Sequence, residues 1–247
     1  PRMGASGVLS QAQIADITHE VPPQDILSGA IALWRAAPFF PAGSVHIAVV
    51  DPGVGTQRRP MAAQIGGQYV VGPDNGLFTP LIRDAEKSGQ PTRFVVLDKP
   101  EYWLPAVSRT FHGRDIFAPV GAHLACGVPL EALGSQFDDP VRIALPQAER
   151  TPQGWQAHIT VIDIFGNLTT DLPAAELGGR RDVTIHLHGR QVNGIVDSYG
   201  QRSPGELVAL IDSEGFLEVA VVNGSAARLL GVQVGDEVSV ILPEGTG

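Results

Sequence analysis

The sequence predicts an α/β protein: an N-terminal, mostly parallel sheet with flanking helices, followed by a smaller C-terminal β-barrel domain. Three observations predict it. Up to Gly127, apolar runs rich in β-branched residues alternate with segments of helical period, the pattern of βαβ units. Residues 135–154 then turn rich in Pro, Gln, Asp and Gly, as expected of a connecting stretch. Beyond it come short strand-like runs broken by Gly and Asp, with one brief helical piece, which suits a small barrel. The expected boundaries are an α/β domain over 1–140, a linker over 141–154 and a β-barrel domain over 155–247.

The elements follow in chain order. Ile14 to Ile17 reads as a short strand. Pro22-Pro23-Gln24-Asp25 opens a helix with Ile26, Ala30, Leu33, Trp34 and Ala37 on one face, and Pro38 and Pro41 end it. Val45 to Val50 is six apolar or ring-bearing residues and reads as a buried central strand. Met61–Ile65 and Tyr69–Val71 flank Gly66-Gly67 as a hairpin. Gly72-Pro73-Asp74-Asn75-Gly76 is a turn before a helix over Leu77–Lys87, and Phe94–Leu97 is another buried strand. A loop with Tyr102 and Trp103 leads into Phe111-His112-Gly113-Arg114-Asp115 and a third helix ending near Gly127. In the second half the strand-like runs are Trp155–Ile164, Val183–His188, Leu207–Ile211, Phe216–Val222 and Glu237–Leu242, with a helical piece over Ser225–Leu230.

Composition excludes several classes. With 247 residues, 43% hydrophobic and 17% charged, the chain is long and apolar enough for a substantial core. A net charge of -9 without a basic run argues against a nucleic-acid partner. No apolar stretch approaches the ~18 residues a membrane helix needs. Cys126 is the single cysteine, so no internal disulfide forms, which suits a reducing, cytoplasmic setting. The opening at Pro1 without an initiator Met leaves a removed signal peptide open.

Known metal and phosphate motifs are missing. The seven histidines show neither HExxH nor Cys/His ligand spacing, so no metal is expected, although His186 and His188 share one strand face. Gly53-Val54-Gly55 lacks the third glycine of a dinucleotide loop, and neither a P-loop nor a Gly-x-Ser-x-Gly elbow occurs. What remains is polar residues in loops. Asp51 ends the apolar run, and Pro52-Gly53-Val54-Gly55 turns the chain so that Arg58 and Arg59 come back toward it. Ligands in open α/β sheets sit beyond the carboxyl ends of strands, which is where this pair stands. An ordinary surface ion pair accounts for the same residues. Asp74 and Asn75 share a second loop, and His112, Arg114 and Asp115 a third. Asp163-Ile164-Phe165-Gly166-Asn167 reads either as a hairpin turn or as an aromatic face and an amide suited to a purine.

Five segments in order then carry a resemblance. Asp16-Ile17-Thr18-His19-Glu20-Val21, His46 through Thr56, Gly72-Pro73-Asp74-Asn75-Gly76-Leu77, Phe111 through Pro119 and Phe165-Gly166-Asn167 together resemble the S-adenosyl-L-methionine (SAM) hydroxide adenosyltransferases, or SAM hydrolases, which are related to the fluorinase and chlorinase. Each segment alone is weakly specific; their order covers nearly the whole chain. The resemblance implies an α/β domain, a β-barrel, and a homotrimer holding SAM between one subunit's first domain and its neighbour's second. Water or hydroxide would attack C5′ of the ribose, releasing methionine and adenosine, with SAM as substrate and no cofactor. A SAM- or adenosine-binding protein without turnover and a SAM-dependent halogenase are the alternatives.

The same resemblance assigns residues. Asp51, Arg58 and His112 match its catalytic set. Asp74, Asn75, Phe111 and Gly113 join the substrate-binding set on the first domain. On the second, Asp163, Phe165 and Asn167 match the adenosine and amino-acid loop, Ser213 and Glu214 a methionine-binding stretch, and Asn223 a residue lining the adenine. Halogenases carry tyrosine at the position of Asp51, and a carboxylate there repels a halide, so hydrolysis is the expected chemistry. The family's Thr-Asp-Phe-Gly-like segment, whose aspartate holds the ribose hydroxyls, has no counterpart here; Gly7-Val8-Leu9 matches a point just after it.

Overall fold

A computed structural model describes residues 13–243. Gly7-Val8-Leu9 lies outside them. The chain divides into two compact units between Leu145 and Pro146.

The first unit is a three-layer α/β arrangement. Its five-stranded sheet runs β1 (Val45–Ile47), β3 (Gln68–Pro73), β2 (Pro60–Ile65), β4 (Thr92–Val96), β5 (Ser135–Phe137). Strand residues alternate between two cores, as the two-residue period of a strand requires. Met61, Ala63, Val70 and Phe94 pack with α1 (Ile26–Ala36) and α2 (Thr79–Lys87) on one face. Ala62, Val71 and Val95 pack with α3 (Ala118–Ala125) on the other. Asp25 caps α1 by accepting the Ser28 N–H at 2.9 Å, and the Trp34 indole donates to Asp84 at 2.6 Å, tying α1 to α2.

The sheet is mixed rather than mostly parallel. Only β1 and β3 pair in parallel among the described residues; β2–β3, β2–β4 and β4–β5 are antiparallel. The Gly66-Gly67 hairpin is the cause. It inserts the reversed strand β2 between β3 and β4, so those two strands, joined through α2, run the same way without touching. Two further expectations are corrected. Ile14 to Ile17 forms no strand, and Ile14 and Ile17 stand 51% and 42% exposed with no strand beside them among the described residues. The Val45–Val50 run is a strand only as far as Ile47: its last register pair with β3 is Ile47 with Val71, although β3 itself runs on to Pro73, and beyond it Val49 is 45% exposed.

The second unit is a nearly closed, barrel-like antiparallel sheet ordered β10 (Arg190–Asn193), β9 (Thr184–Leu187), β13 (Glu237–Ile241), β7 (Gly154–Ile162), β8 (Leu168–Pro173), β12 (Phe216–Val221), β11 (Leu207–Ile211). A parallel bridge between Ile195, just after β10, and Ala209 of β11 brings the two ends of that order together. Strand β6 (Glu149–Thr151) pairs with β7, and α4 (Ala226–Leu230) is capped by Ser225. The Pro- and Gln-rich stretch therefore contains β5 and β6. Short strands β8 and β10 carried too many polar residues to read as strands: β8 holds Thr169, Thr170 and Asp171, β10 Arg190 and Gln191.

Candidate active site

Three loops meet at one end of the first unit's sheet, and the topology explains why. The carboxyl ends of the parallel strands β1 and β3 point the same way, so Asp51 and Asp74-Asn75 emerge side by side. Because β2 runs against β3, pairing Pro60 with Pro73, its entry lies at that same end and delivers Arg58 and Arg59 there. The third loop, residues 104–112, brings His112 to the head of a π-helical turn (Gly113–Phe117) that continues into α3. Gly55 lets the first and third loops close up: its φ is +77°, and a Cβ would lie 2.7 Å from the Arg109 carbonyl oxygen.

Asp51, Arg58 and His112 are in contact. The Arg58 Nε donates to Asp51 Oδ1 at 3.1 Å, and Nη2 donates to Oδ2, a two-point fork. The Arg58 and Asp51 side chains are only 7% and 6% exposed, so this is not the solvated surface pair that also fitted the sequence. Nη2 also donates to His112 Nδ1 at 3.2 Å. A guanidinium has no lone pair to offer, so Nδ1 is the acceptor and the neutral ring carries its hydrogen on Nε2. Burial, followed by the neighbouring Arg58 charge, holds the imidazole below its usual pKa; Asp51 and Asp115 pull the other way without cancelling this. The guanidinium lies 5.4 Å from the Phe117 ring centroid, and its buried Nη1 has no hydrogen-bond partner.

The surrounding polar residues hold the loops. Asp74 is buried and spends both oxygens on the protein: Oδ2 accepts from Arg59 Nε at 2.7 Å and Oδ1 from the Val141 N–H at 2.8 Å. Asn75 donates to the Val50 carbonyl at 2.8 Å and accepts from the Leu77 N–H at 3.3 Å. Asp115, fully buried, pairs with Arg114 and accepts the Ser108 N–H at 2.8 Å, pinning the loop that carries His112. Its carboxyl is held below the usual range, chiefly by Arg114. Phe111 is 60% exposed beneath the Arg114 guanidinium, and Gly113 faces Val49.

In the second unit the expected binding residues divide between the two ends of strand β12: Asp163, Phe165, Asn167 and Asn223 lie at the end where β7 turns into β8, and Ser213 and Glu214 in the turn from β11 to β12 at the other. Asp163 Oδ1 accepts the N–H groups of Phe165 and Asn167 at 2.9 and 2.8 Å, and Oδ2 accepts from Asn167 Nδ2 at 3.0 Å. This self-bonded loop leaves Ile164 and Phe165 outward, 92% and 68% exposed. A Cβ on Gly166 would lie 2.0 Å from the Ser225 Oγ, so the loop rests against the turn that carries Asn223, whose φ is +54°. Asp212 orders the turn of Ser213 and Glu214 by accepting the N–H groups of Glu214 and Phe216, each at 2.9 Å. Sequence reasoning missed Tyr199. Its hydroxyl donates to the buried Glu218 at 2.6 Å, and burial, then Glu218, Asp163 and Asp212 raise its pKa above the usual phenol value. An acid inside the apolar run Phe216–Val222 was the available signal. Among the described residues, no group of three or more His, Cys, Asp or Glu is placed to hold a metal ion, and no helix is long and apolar enough to cross a membrane.

Comparison with known proteins agrees with the layout. Residues 5–134 match the model of the SAM hydroxide adenosyltransferase N-terminal domain, and residues 157–239 that of its C-terminal domain. The chain is 42% identical to an (R)-S-adenosyl-L-methionine hydrolase of Salinispora tropica, covering 95% of this chain and 90% of that protein. It is 41% identical to the (R)-S-adenosyl-L-methionine hydrolase of Thermus thermophilus, over 92% and 88%. A fluorinase of Actinopolyspora mzabensis matches at 27% over 94% and 88%. A crystal structure of an uncharacterized conserved protein from Thermotoga maritima superposes with a TM-score of 0.88 at 33% identity, covering 97% of this chain and 93% of that one. The chain belongs to the SAM hydroxide adenosyltransferase family.

Proposed function

We propose that the protein hydrolyses S-adenosyl-L-methionine. Water attacks C5′ of the ribose, the C5′–sulfur bond breaks with its electron pair going to sulfur, and adenosine, L-methionine and a proton result. The observation that supports this best is the buried Asp51–Arg58–His112 set at the sheet end of a chain in this family. A sulfonium leaves without protonation, so the barrier lies in presenting an aligned, partly deprotonated water to carbon in a dry site. Asp51 has carboxylate lone pairs beyond those Arg58 uses and accepts the hydrogen of that water. Arg58 steadies the developing hydroxide. His112 offers Nε2–H; a proton relay through the ring gives up that hydrogen and takes one at Nδ1, the nitrogen Arg58 occupies at rest.

Phe111 and Gly113 on the first unit, and Asp163, Phe165, Asn167, Ser213, Glu214 and Asn223 on the second, are proposed to bind the substrate. Asp74 is retained in the site as the tie that orders its loop. The assembly proposed is a homotrimer with SAM at subunit interfaces. The self-bonded Asp163 loop supports it, because it presents an aromatic ring outward for a partner or ligand. The test is to incubate the purified chain with each sulfonium epimer of SAM, with and without chloride, and to separate the products chromatographically. Equal adenosine and methionine, independent of halide, is expected; a 5′-halo-5′-deoxyadenosine, or bound SAM that is never consumed, would overturn the proposal.

A further inference from the structure

The end of β1 is held in an unusual way. The Ala48 N–H donates to the Val71 carbonyl at 3.1 Å, beyond the last register pair of β1 and β3, Ile47 with Val71. Two residues later the Val50 carbonyl is met by a side chain, Asn75 Nδ2, at 2.8 Å. The same amide turns its oxygen to the Leu77 N–H at 3.3 Å. Asn75 thus bridges the residue immediately before Asp51 to the turn that enters α2.

Packing and hydrogen bonding divide the work at Val50. Its side chain is wedged against α1, where a Cβ on Gly29 would fall 2.7 Å from Val50 Cγ2. Behind it, a Cβ on Gly72 would lie 2.2 Å from the Ala48 carbonyl oxygen, so strand β3 presses directly on the backbone of this segment. These contacts fix where Val50 sits. They do not fix which way its carbonyl points, and a peptide plane is rigid, so that direction sets how the chain enters Asp51. Asn75 fixes it.

We infer that Asn75 is a positioning residue for Asp51: by holding the Val50 carbonyl it aims the Asp51 carboxylate at Arg58, rather than contacting the substrate itself. The inference rests on the role proposed above for Asp51. It replaces the substrate contact expected from sequence, because both ends of the Asn75 amide are already engaged within the protein.

The experiment compares the parent protein with Asn75→Ala and Asn75→Asp. The aspartate keeps the shape and the acceptor for Leu77 but presents a carboxylate oxygen, not an N–H, to the Val50 carbonyl. Misplacement of a reacting group by about 1 Å costs up to ~10²-fold, so kcat should fall about 10- to 100-fold in both variants while SAM affinity by calorimetry changes less than about 3-fold. In an Asp51→Asn background, adding Asn75→Ala should change the residual rate by less than about 2-fold, since the two act as one unit. A crystal structure of Asn75→Ala should show the Val50 carbonyl turned and the Asp51–Arg58 fork opened. SAM affinity lost with kcat intact would make Asn75 a substrate contact and overturn the inference; so would an undiminished effect in the Asp51→Asn background. An unmoved Val50 carbonyl and an intact fork in the crystal would overturn it too. If the parent itself fails to consume SAM, the functional proposal fails, and the crystallographic comparison still decides whether Asn75 positions Asp51.

Discussion

Asp51 sits where three demands meet: it ends the segment that runs on from β1, it neutralises a buried guanidinium, and it faces the imidazole through that guanidinium. Replacing it with asparagine keeps the volume and removes the charge. Turnover should drop by roughly 10²–10⁴-fold, the range of one positioned base, with SAM binding little changed. The same substitution leaves Arg58 buried without its counter-ion, so thermal unfolding should be measured beside activity. His112 makes a second, pH-dependent prediction. Its pKa is depressed in the folded protein by burial and by Arg58, and that of His46 is depressed by burial. For such groups the unfolded chain binds more protons, so their contribution to stability is full above the unfolded pKa of ~6.5 and is lost as pH falls through the lower folded values. Urea midpoints should therefore decline below about pH 6.5. The turnover rate should hold to lower pH than an ordinary histidine would allow and then fall, as protonation takes the Nδ1 acceptor from Arg58. At this scale the sequence was informative for a physical reason. Asp51, Arg58 and His112 stand beside glycines and prolines that force turns, whereas Tyr199 lies in a short helical turn before β11 and meets Glu218 on the neighbouring strand β12 only once the sheet has formed.

At the level of elements, the loop over 51–58 and the loop over 104–112 work as a pair. Gly55→Ala puts a methyl group into the Arg109 carbonyl and an L side chain at positive φ. The left-handed conformation alone costs about 1–2 kcal/mol, so a drop in the urea midpoint and a larger loss of kcat are expected, because His112 moves with its loop. Asp74→Ala strips Arg59 and the Val141 N–H of a buried acceptor. Arg59 is about one-third exposed, which moderates the loss to about 2–3 kcal/mol, below the full cost of breaking a buried pair, and calorimetric melting should read it. The helices were legible because caps and prolines mark them: Asp25 before α1, Ser225 before α4. Strand direction was not. Alternating strands and helices suggested a parallel sheet, yet a two-glycine hairpin reverses one strand, and that reversal is what brings Arg58 to the site. Strands β8 and β10 escaped notice because hydrogen bonds, not apolar runs, define them: Thr170 donates to the Leu217 carbonyl at 2.8 Å from within the barrel.

On the scale of the whole molecule, each unit has its own core. The proposed trimer predicts a particle of three chains by light scattering, and a single-chain mass would contradict it. The proposed reaction places the new bond between solvent oxygen and C5′, with Asp51 guiding the water. Turnover in oxygen-18 water tests that claim most directly. Adenosine carrying one heavy oxygen at its 5′-hydroxyl, with unlabelled methionine, is the predicted result; unlabelled adenosine, or a labelled methionine, would contradict attack by water at the ribose carbon.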